Sequence, residues 1–233
     1  MEQIKYPIIQ KKLGDKKLTM IYSKKREQTG TVNVKTSKDK QQQFVLSDKE
    51  VVTLAHWAKL IEDHYQQILA HNAKPVSMGG DHTITLPILR QIAKKHGPVA
   101  LVHVDAHTDI NDTMFGEKIA HGTIFRRAIE EGLVDPHKMI QIGPRATGYT
   151  AEDFDWAADQ GVQVVTGEEC WYKSLAPLMD AFRVKVGADM PTYLSFDIDG
   201  LDPSVAPGTG TPEAGGLVSS QGLEVIRGSH GLN

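Results

Sequence analysis

The alternation of apolar runs with amphipathic segments after residue 75 is the feature that most constrains this fold. Short runs rich in Val, Ile and Leu, such as "PVALVHVD", "KMIQIG", "VQVV" and "TYLSFDID", alternate with segments of helical periodicity such as "ITLPILRQIAKKHG" and "GTIFRRAIEEGL". We also expect "PVSMGG" to form a strand of this series. Strands that are apolar throughout and separated by helices are typical of a mostly parallel sheet covered on both faces. The pattern therefore predicts an α/β fold.

Side chains that can bind metal ions follow three of the predicted strands. They are His82 in "GGDH", Asp105, His107 and Asp109 in "DAHTD", and Asp197 and Asp199 in "SFDID". In an extended chain, residues two positions apart point to the same side. Ligands of parallel sheets bind beside the carboxyl ends of the strands. We therefore expect all six side chains to converge on one crevice.

The chemistry of these six side chains indicates the kind of ion that they bind. Four carboxylates in one crevice raise one another's pKa unless cations neutralise them. The mixture of carboxylate and imidazole, without thiolate, favours a hard or borderline divalent ion such as manganese over a structural zinc. Two ions about 3.5 to 4 Å apart can make a bridging water acidic enough to ionise near neutral pH. The set therefore predicts a two-ion site for hydrolysis of an unreactive carbon.

Composition excludes several classes of partner. The net charge is only -3 at pH 7 in 233 residues, which argues against a nucleic acid or an anionic membrane surface and leaves small polar metabolites. Cys170 is the only cysteine, so no intrachain disulfide is expected. The first residues lack the apolar core of a signal peptide, and no apolar run approaches the ~20 residues of a spanning helix. We therefore expect a cytoplasmic protein.

The first 65 residues differ in character from the rest. Residues 16–46 contain short alternating pieces separated by charged and glutamine-rich turns, which predicts a hairpin. The next segment begins with a capping box from Ser47 to Glu50. Apolar residues then recur at helical spacing as far as Tyr65, which predicts a helix.

Four dense motifs lie between about Gln66 and Asn233: "GGDHTITLPILR", "HVDAHTD", "HGTIFRRA" and "YLSFDIDGLDPSVAPGTGTPEAGGL". On these motifs the chain resembles the ureohydrolases, the family of agmatinase, guanidinobutyrase and arginase. The resemblance implies a three-layer arginase-like fold and manganese-dependent hydrolysis of a guanidino compound, first of all agmatine to putrescine and urea. Guanidinobutyrase or guanidinopropionase activity is the alternative, and the implied assembly is a homo-oligomer, a trimer or a hexamer.

The resemblance also assigns the candidate ligands to two manganese ions. It implies that one ion is held by His82, Asp105, Asp109 and Asp197. It implies that the other is held by His107, Asp105, Asp197 and Asp199. Asp105 and Asp197 would then bridge the two ions.

Catalytic and substrate-selecting roles come from the same resemblance. Asp109 would also orient the attacking water. His121, in "AHG", would carry a proton to the leaving amine, a role that suits an imidazole titrating near neutrality. The loop with Asn111, Met114 and Phe115 lies between ligand and proton carrier, so we expect it to select the substrate.

Both ends of the chain depart from the ureohydrolase pattern. Residues 5–65 resemble a fragment of phosphoenolpyruvate synthase from its ATP-grasp region, so we expect an N-terminal segment of residues 1–65 before a ureohydrolase domain of residues 66–233. That resemblance stops before the acidic and arginine motif of the nucleotide enzyme, so ATP turnover is not expected. The glutamate that pairs with the substrate guanidinium in ureohydrolases would lie beyond Asn233. We therefore expect an incomplete domain with reduced activity.

Two further hypotheses stay open at this point. The chain could be a folded, metal-binding remnant with weak or no activity, or a single-zinc amide hydrolase of the related deacetylase architecture. The six ligands outnumber what one zinc needs, which disfavours the zinc enzyme. Counting metal ions per chain separates the zinc enzyme from a ureohydrolase, and a urea-release assay separates the remnant from an active enzyme.

Overall fold

The computed structural model describes residues 17–22, 31–44, 46–114, 116–145 and 152–232. The chain forms two compact units, Met1–Leu60 and Ile61–Asn233. In the first unit, strands β1 (Leu18–Tyr22) and β2 (Thr31–Lys35) pair antiparallel, so the predicted hairpin is confirmed. A short helix, α1 (Lys38–Gln41), follows.

The long helix α2 (Asp48–Ala70) begins where its capping residues predict. The backbone N–H and the hydroxyl of Ser47 both donate to Glu50 Oε2, each at 2.7 Å. The Glu50 N–H in turn lies 3.3 Å from Ser47 Oγ, which completes the reciprocal pair. The cap satisfies backbone donors that the first helical turn leaves without an internal partner.

The second unit is built on a four-stranded sheet in which every neighbouring pair is parallel. Its strand order is β5-β4-β3-β6. The strands are β3 (Val99–Val104), β4 (Val134–Ile142), β5 (Gln163–Val165) and β6 (Thr192–Phe196). The helices are α3 (Thr85–His96), α4 (Ile124–Glu130), α5 (Glu152–Asp159), α6 (Gly167–Cys170), α7 (Ala176–Val186) and α8 (Ser219–Gly228). The predicted α/β fold is therefore confirmed.

The sheet carries one apolar core on each face, because successive residues of a strand point to opposite sides. Val99 and Leu101 of β3 pack with residues of α3, α4 and α5. Ala100, Val102 and Val104 pack on the other face with residues of α6, α7 and α8. All six residues of β3 are buried, as expected of a central strand in a three-layer structure.

One predicted strand is wrong. The segment "PVSMGG" is irregular between residues 73 and 79 and pairs with no strand of the described sheets. The side chains of Val76 and Met78 are exposed. An apolar run forms a strand only where a neighbouring strand takes up its backbone hydrogen bonds, and this run has no such neighbour in the described part of the chain.

Candidate metal centre

The loop after β3 brings its three candidate ligands together by a turn. We expected an extended chain through Asp109, but β3 ends at Val104. The N–H of His107 donates to Asp105 Oδ1 at 2.7 Å, and Asp109 has a φ of 51°. Aspartate adopts this left-handed conformation more readily than most residues. The three side chains converge on one cleft as predicted. A turn brings them together, and the expected alternation along a strand is wrong.

A second polar turn follows β6. Asp197 precedes a single 3-10 turn, Ile198–Gly200, and its Oδ1 accepts a hydrogen bond from the Asp199 N–H at 3.2 Å. At Gly200 a Cβ atom would lie 2.8 Å from Val104 Cγ1 and 3.0 Å from the Asp105 nitrogen. Glycine is needed here because the turn after β6 approaches the end of β3 this closely.

His82 enters the site from the start of another 3-10 turn, His82–Ile84, just before α3. Its Nε2 lies 2.8 Å from Ser195 Oγ of β6. Its Nδ1 faces three carboxylates, at 2.8 Å from Asp109 Oδ2, 3.4 Å from Asp105 Oδ2 and 3.6 Å from Asp197 Oδ2. The four side chains expected to hold one ion therefore meet around one point.

The Nδ1 atom of His82 tests whether this group fits a cation. The atom is buried, yet no described residue gives it a hydrogen bond of acceptable geometry, although a carboxylate oxygen lies 2.8 Å away. Ligand atoms that each lie about 2.1 Å from one ion are about 3 to 3.5 Å from one another. His82 Nδ1 lies 2.8 to 3.6 Å from the three oxygens, which is close to this spacing, so the donor set fits a divalent ion.

His107 is the centre of a second group. Its Nδ1 lies 3.2 Å from Asp105 Oδ1 and 3.4 Å from Asp199 Oδ2. Asp105 belongs to both groups and turns a different oxygen to each histidine. This is the arrangement of a bridging carboxylate. Of the two histidines, Asp197 has a described contact with His82, at 3.6 Å, so its bridging role stays a prediction.

The charges of the cluster shift the pKa values of its members. Burial lowers the pKa of His82, but Asp105 and Asp109 raise it to about 10 overall. A hydrogen bond to Asp105 is the main cause that raises the pKa of His107 to about 10. Burial raises the pKa of Asp109. Burial also opposes ionisation of Asp105, but hydrogen bonds from His103 and His107 hold its pKa well below the usual range.

The cluster lies at the bottom of a cleft of about 510 Å³. His121 lines this cleft, and its Nδ1 lies 3.7 Å from Asp81 Oδ2. Asn111 and Met114 also line it, whereas Phe115 lies outside the described residues. The Nδ2 of Asn111 donates to Gly122 O at 2.7 Å, so that nitrogen already holds the loop in place.

The sequence pattern that defines the arginase family matches residues 11–233. The chain belongs to the arginase family. The match begins well before residue 66, where the ureohydrolase motifs noted above begin, and includes most of the N-terminal segment.

Other members of the arginase family are similar over about three quarters of the chain. Guanidinobutyrase of Pseudomonas aeruginosa is 65% identical over 175 residues, which are 75% of this chain and 54% of that protein. Mitochondrial agmatinase of Gallus gallus is 57% identical over 173 residues, 74% of this chain and 51% of that protein. The structure of proclavaminate amidino hydrolase from Streptomyces clavuligerus has a TM-score of 0.67 at 42% identity and covers 73% of this chain and 56% of its own. The chain thus spans about half the length of the curated relatives that it matches.

Three residues near the centre of this arginase-family fold were not expected from the sequence. His103 contacts the ligand Asp105, and Gln141 contacts His103. Ser195 contacts His82. A signal for His103 was present, because it lies two positions before Asp105 and extends the spacing of Asp105, His107 and Asp109. Gln141 and Ser195 lie inside strands, and only the tertiary structure brings them to the site.

Proposed function

We propose that this chain binds two manganese ions and hydrolyses a guanidino compound, with agmatine, giving putrescine and urea, as the leading substrate. The observation that carries the proposal is the position of Asp105. Its two oxygens face two different histidines, each with further carboxylates of its own. One ion would need only one such group. The doubled set favours the two-ion hydrolase over the single-zinc amide hydrolase.

The described residues offer groups that would orient the attacking water and protonate the leaving amine. Bound divalent ions would provide Lewis acidity and acidify a water near neutral pH. The carboxylate of Asp109, buried beside His82, would accept a hydrogen bond from the attacking water and orient it toward the guanidinium carbon. His121 stands on the cleft wall and donates a proton to the departing amine.

The lining of the cleft supports a cationic substrate. Beyond the six ligands it holds the carboxylates of Asp81 and Glu213, and the described lining residues include neither lysine nor arginine. Opposite charges attract across such a cleft, which favours the ammonium end of agmatine. The 65% identical guanidinobutyrase favours 4-guanidinobutyrate as the second candidate.

The test is a urea-release assay with saturating manganese on agmatine, 4-guanidinobutyrate, 3-guanidinopropionate and arginine. We expect release from agmatine first, and a loss of at least about 100-fold in Asp109→Asn because the attacking water loses its acceptor. Asp159→Asn is the matched control, since Asp159 is an exposed aspartate of α5. Absence of urea from all four compounds would contradict the proposal, and faster turnover of 4-guanidinobutyrate would replace agmatine as substrate.

We further propose that residues 1–65 bind no ATP and take no part in the chemistry. All described residues that line the cleft lie between Gly80 and Glu213, which supports this. Calorimetric titration of the full chain with MgATP should show no binding, and saturable binding of MgATP would refute this proposal.

A trimer or hexamer is the proposed assembly, and its mass can be measured by sedimentation. Within the described residues, no helix is long and apolar enough to cross a membrane.

A further inference from the structure

His103 is a buried histidine beside the metal centre that is not one of the six expected ligands. It lies in β3 and has no exposed surface. Its Nε2 is 2.9 Å from Asp105 Oδ2. Its ring packs against Phe125 with centroids 4.2 Å apart, so packing fixes the orientation of the ring. Proximity alone would allow His103 to be a ligand, because it lies among the donor atoms around His82.

Gln141 of β4 decides which nitrogen of His103 carries the proton. One terminal atom of the Gln141 side chain lies 2.6 Å from Thr108 O and 2.9 Å from His103 Nδ1. The Thr108 carbonyl oxygen can only accept, so this terminal atom is the amide nitrogen. Its two N–H groups donate hydrogen bonds to Thr108 O and His103 Nδ1. Turning the amide over would place an oxygen against the Thr108 oxygen.

The tautomer of His103 follows from this amide. Because His103 Nδ1 accepts a hydrogen bond from Gln141, its proton resides on Nε2 in the neutral ring. Nε2 therefore donates to Asp105 Oδ2. A protonated nitrogen cannot coordinate an ion, so His103 acts on Asp105 and not on a metal.

We propose that His103 is a positioning residue that holds Asp105 in its bridging orientation, with its tautomer fixed by Gln141. The bond to Oδ2 leaves that oxygen directed toward His82 while Oδ1 faces His107. The inference rests on the proposed function, since it assigns a role toward the manganese ions. Partners of this kind, which orient a metal-binding side chain, typically change metal affinity by about 10- to 100-fold.

A matched pair of substitutions tests the bond. Glutamine can place an amide N–H near the position of His103 Nε2, whereas methionine has similar length and flexibility but no donor. We expect manganese affinity, measured by calorimetry on the full chain, to fall about 10- to 100-fold in His103→Met and to stay within about threefold in His103→Gln. His96→Met, at an exposed position of α3, is the control for loss of a histidine. Equal affinity in folded His103→Met and the native chain would overturn the proposal.

A second measurement determines the tautomer of His103 in the native chain. Nitrogen-15 NMR of histidine-labelled, metal-free full chain distinguishes protonated from unprotonated ring nitrogens, with His103 assigned by its missing signal in His103→Gln. We expect a proton on Nε2 and none on Nδ1. A proton on Nδ1 would overturn the proposal, because Nε2 would then have no hydrogen to donate to Asp105.

The two proposals fail in different ways. If the native chain binds no manganese at all, the proposed function fails. If it binds two ions but His103→Met binds them as tightly, or the NMR shows the other tautomer, only the role of His103 fails. Gln141→Met adds a check within the same experiment. Without the hydrogen bond from Gln141, either ring nitrogen of His103 can carry the proton, which should weaken manganese binding although Asp105 and His103 are unchanged.

Discussion

Asp105 joins the two groups of candidate metal ligands. It is almost fully buried and receives hydrogen bonds at both oxygens, from His107 at Oδ1 and from His103 at Oδ2. Taking a carboxylate out of water is costly unless charge and hydrogen bonds compensate. These hydrogen bonds therefore keep the buried carboxylate of Asp105 ionised, which is the state that can bind a cation.

Substitution of Asp105 should release more manganese than substitution of a ligand that contacts only one ion. We expect Asp105→Ala to lose both manganese ions, with affinity reduced by more than about 100-fold, because each site loses a ligand. His82→Ala should lose mainly one ion. Elemental analysis of dialysed protein measures both results, with Asp159→Ala as the exposed control. Retention of one tightly bound ion in Asp105→Ala would contradict a bridging role.

Metal binding should strengthen as pH rises. Asp105 is a main cause that raises the pKa of both His82 and His107 to about 10, so both imidazoles carry protons below that pH in the metal-free chain. An ion binds only the neutral imidazole, so each proton must leave on binding. Between pH 6.5 and 7.5 we expect affinity to rise by roughly 100-fold if two protons are released. Calorimetry in buffers of different ionisation enthalpy counts those protons, and a count of zero would contradict the expectation.

At the scale of elements, the guanidinium of Arg145 ties together the loops that form the site. It donates to Asp199 O at 2.7 Å and to Glu213 O at 2.6 Å, and also reaches Gly143 O at 3.0 Å. Gly143 directly follows β4, Asp199 lies after β6, and Glu213 lies on the cleft wall. One side chain therefore fixes the distance between a ligand loop and the cleft wall.

Lysine should not replace this arginine. An ammonium group lacks the planar set of donors that reaches several carbonyls at once. We expect Arg145→Lys to lower the free energy of unfolding by about 1 to 3 kcal/mol, because buried carbonyls lose their partners, and to weaken manganese binding through Asp199. Arg90→Lys is the control, since its pair with Glu131 is exposed and contributes little. Denaturant unfolding that is equal in both variants would show that Arg145 does not hold these loops.

The same elements show what the sequence could and could not predict. The start of α2 was predictable because Ser47 and Glu50 are local partners, and β3 because its apolar residues are contiguous. The convergence of the six candidate ligands on one cleft was predictable from their residue types and spacing, and their metal binding stays a prediction. The turn at Asp109 was not, because no local pattern requires its left-handed conformation. Likewise, the contacts of Arg145 join loops about 55 to 70 residues away in sequence.

At the scale of the whole molecule, the buried sheet provides the rigidity that the site needs. The candidate ligands lie on short turns at strand and helix ends, so their positions depend on strands packed between two layers of helices. Leu101 of β3 is fully buried in one of these layers. We expect Leu101→Ala to lower the free energy of unfolding by about 2 to 5 kcal/mol. Leu223→Ala, at a half-exposed position of α8, should change it by less than about 1 kcal/mol in a parallel denaturant titration.

We expect the second unit to hold two manganese ions in one binuclear centre. The most direct test is the ratio of manganese to chain after equilibrium dialysis against saturating manganese, with the metal measured by elemental analysis and the chain by amino-acid analysis. The two groups around His82 and His107, joined through Asp105, predict a ratio of two. A ratio of one, or the absence of bound manganese, would show that the two groups do not hold two ions.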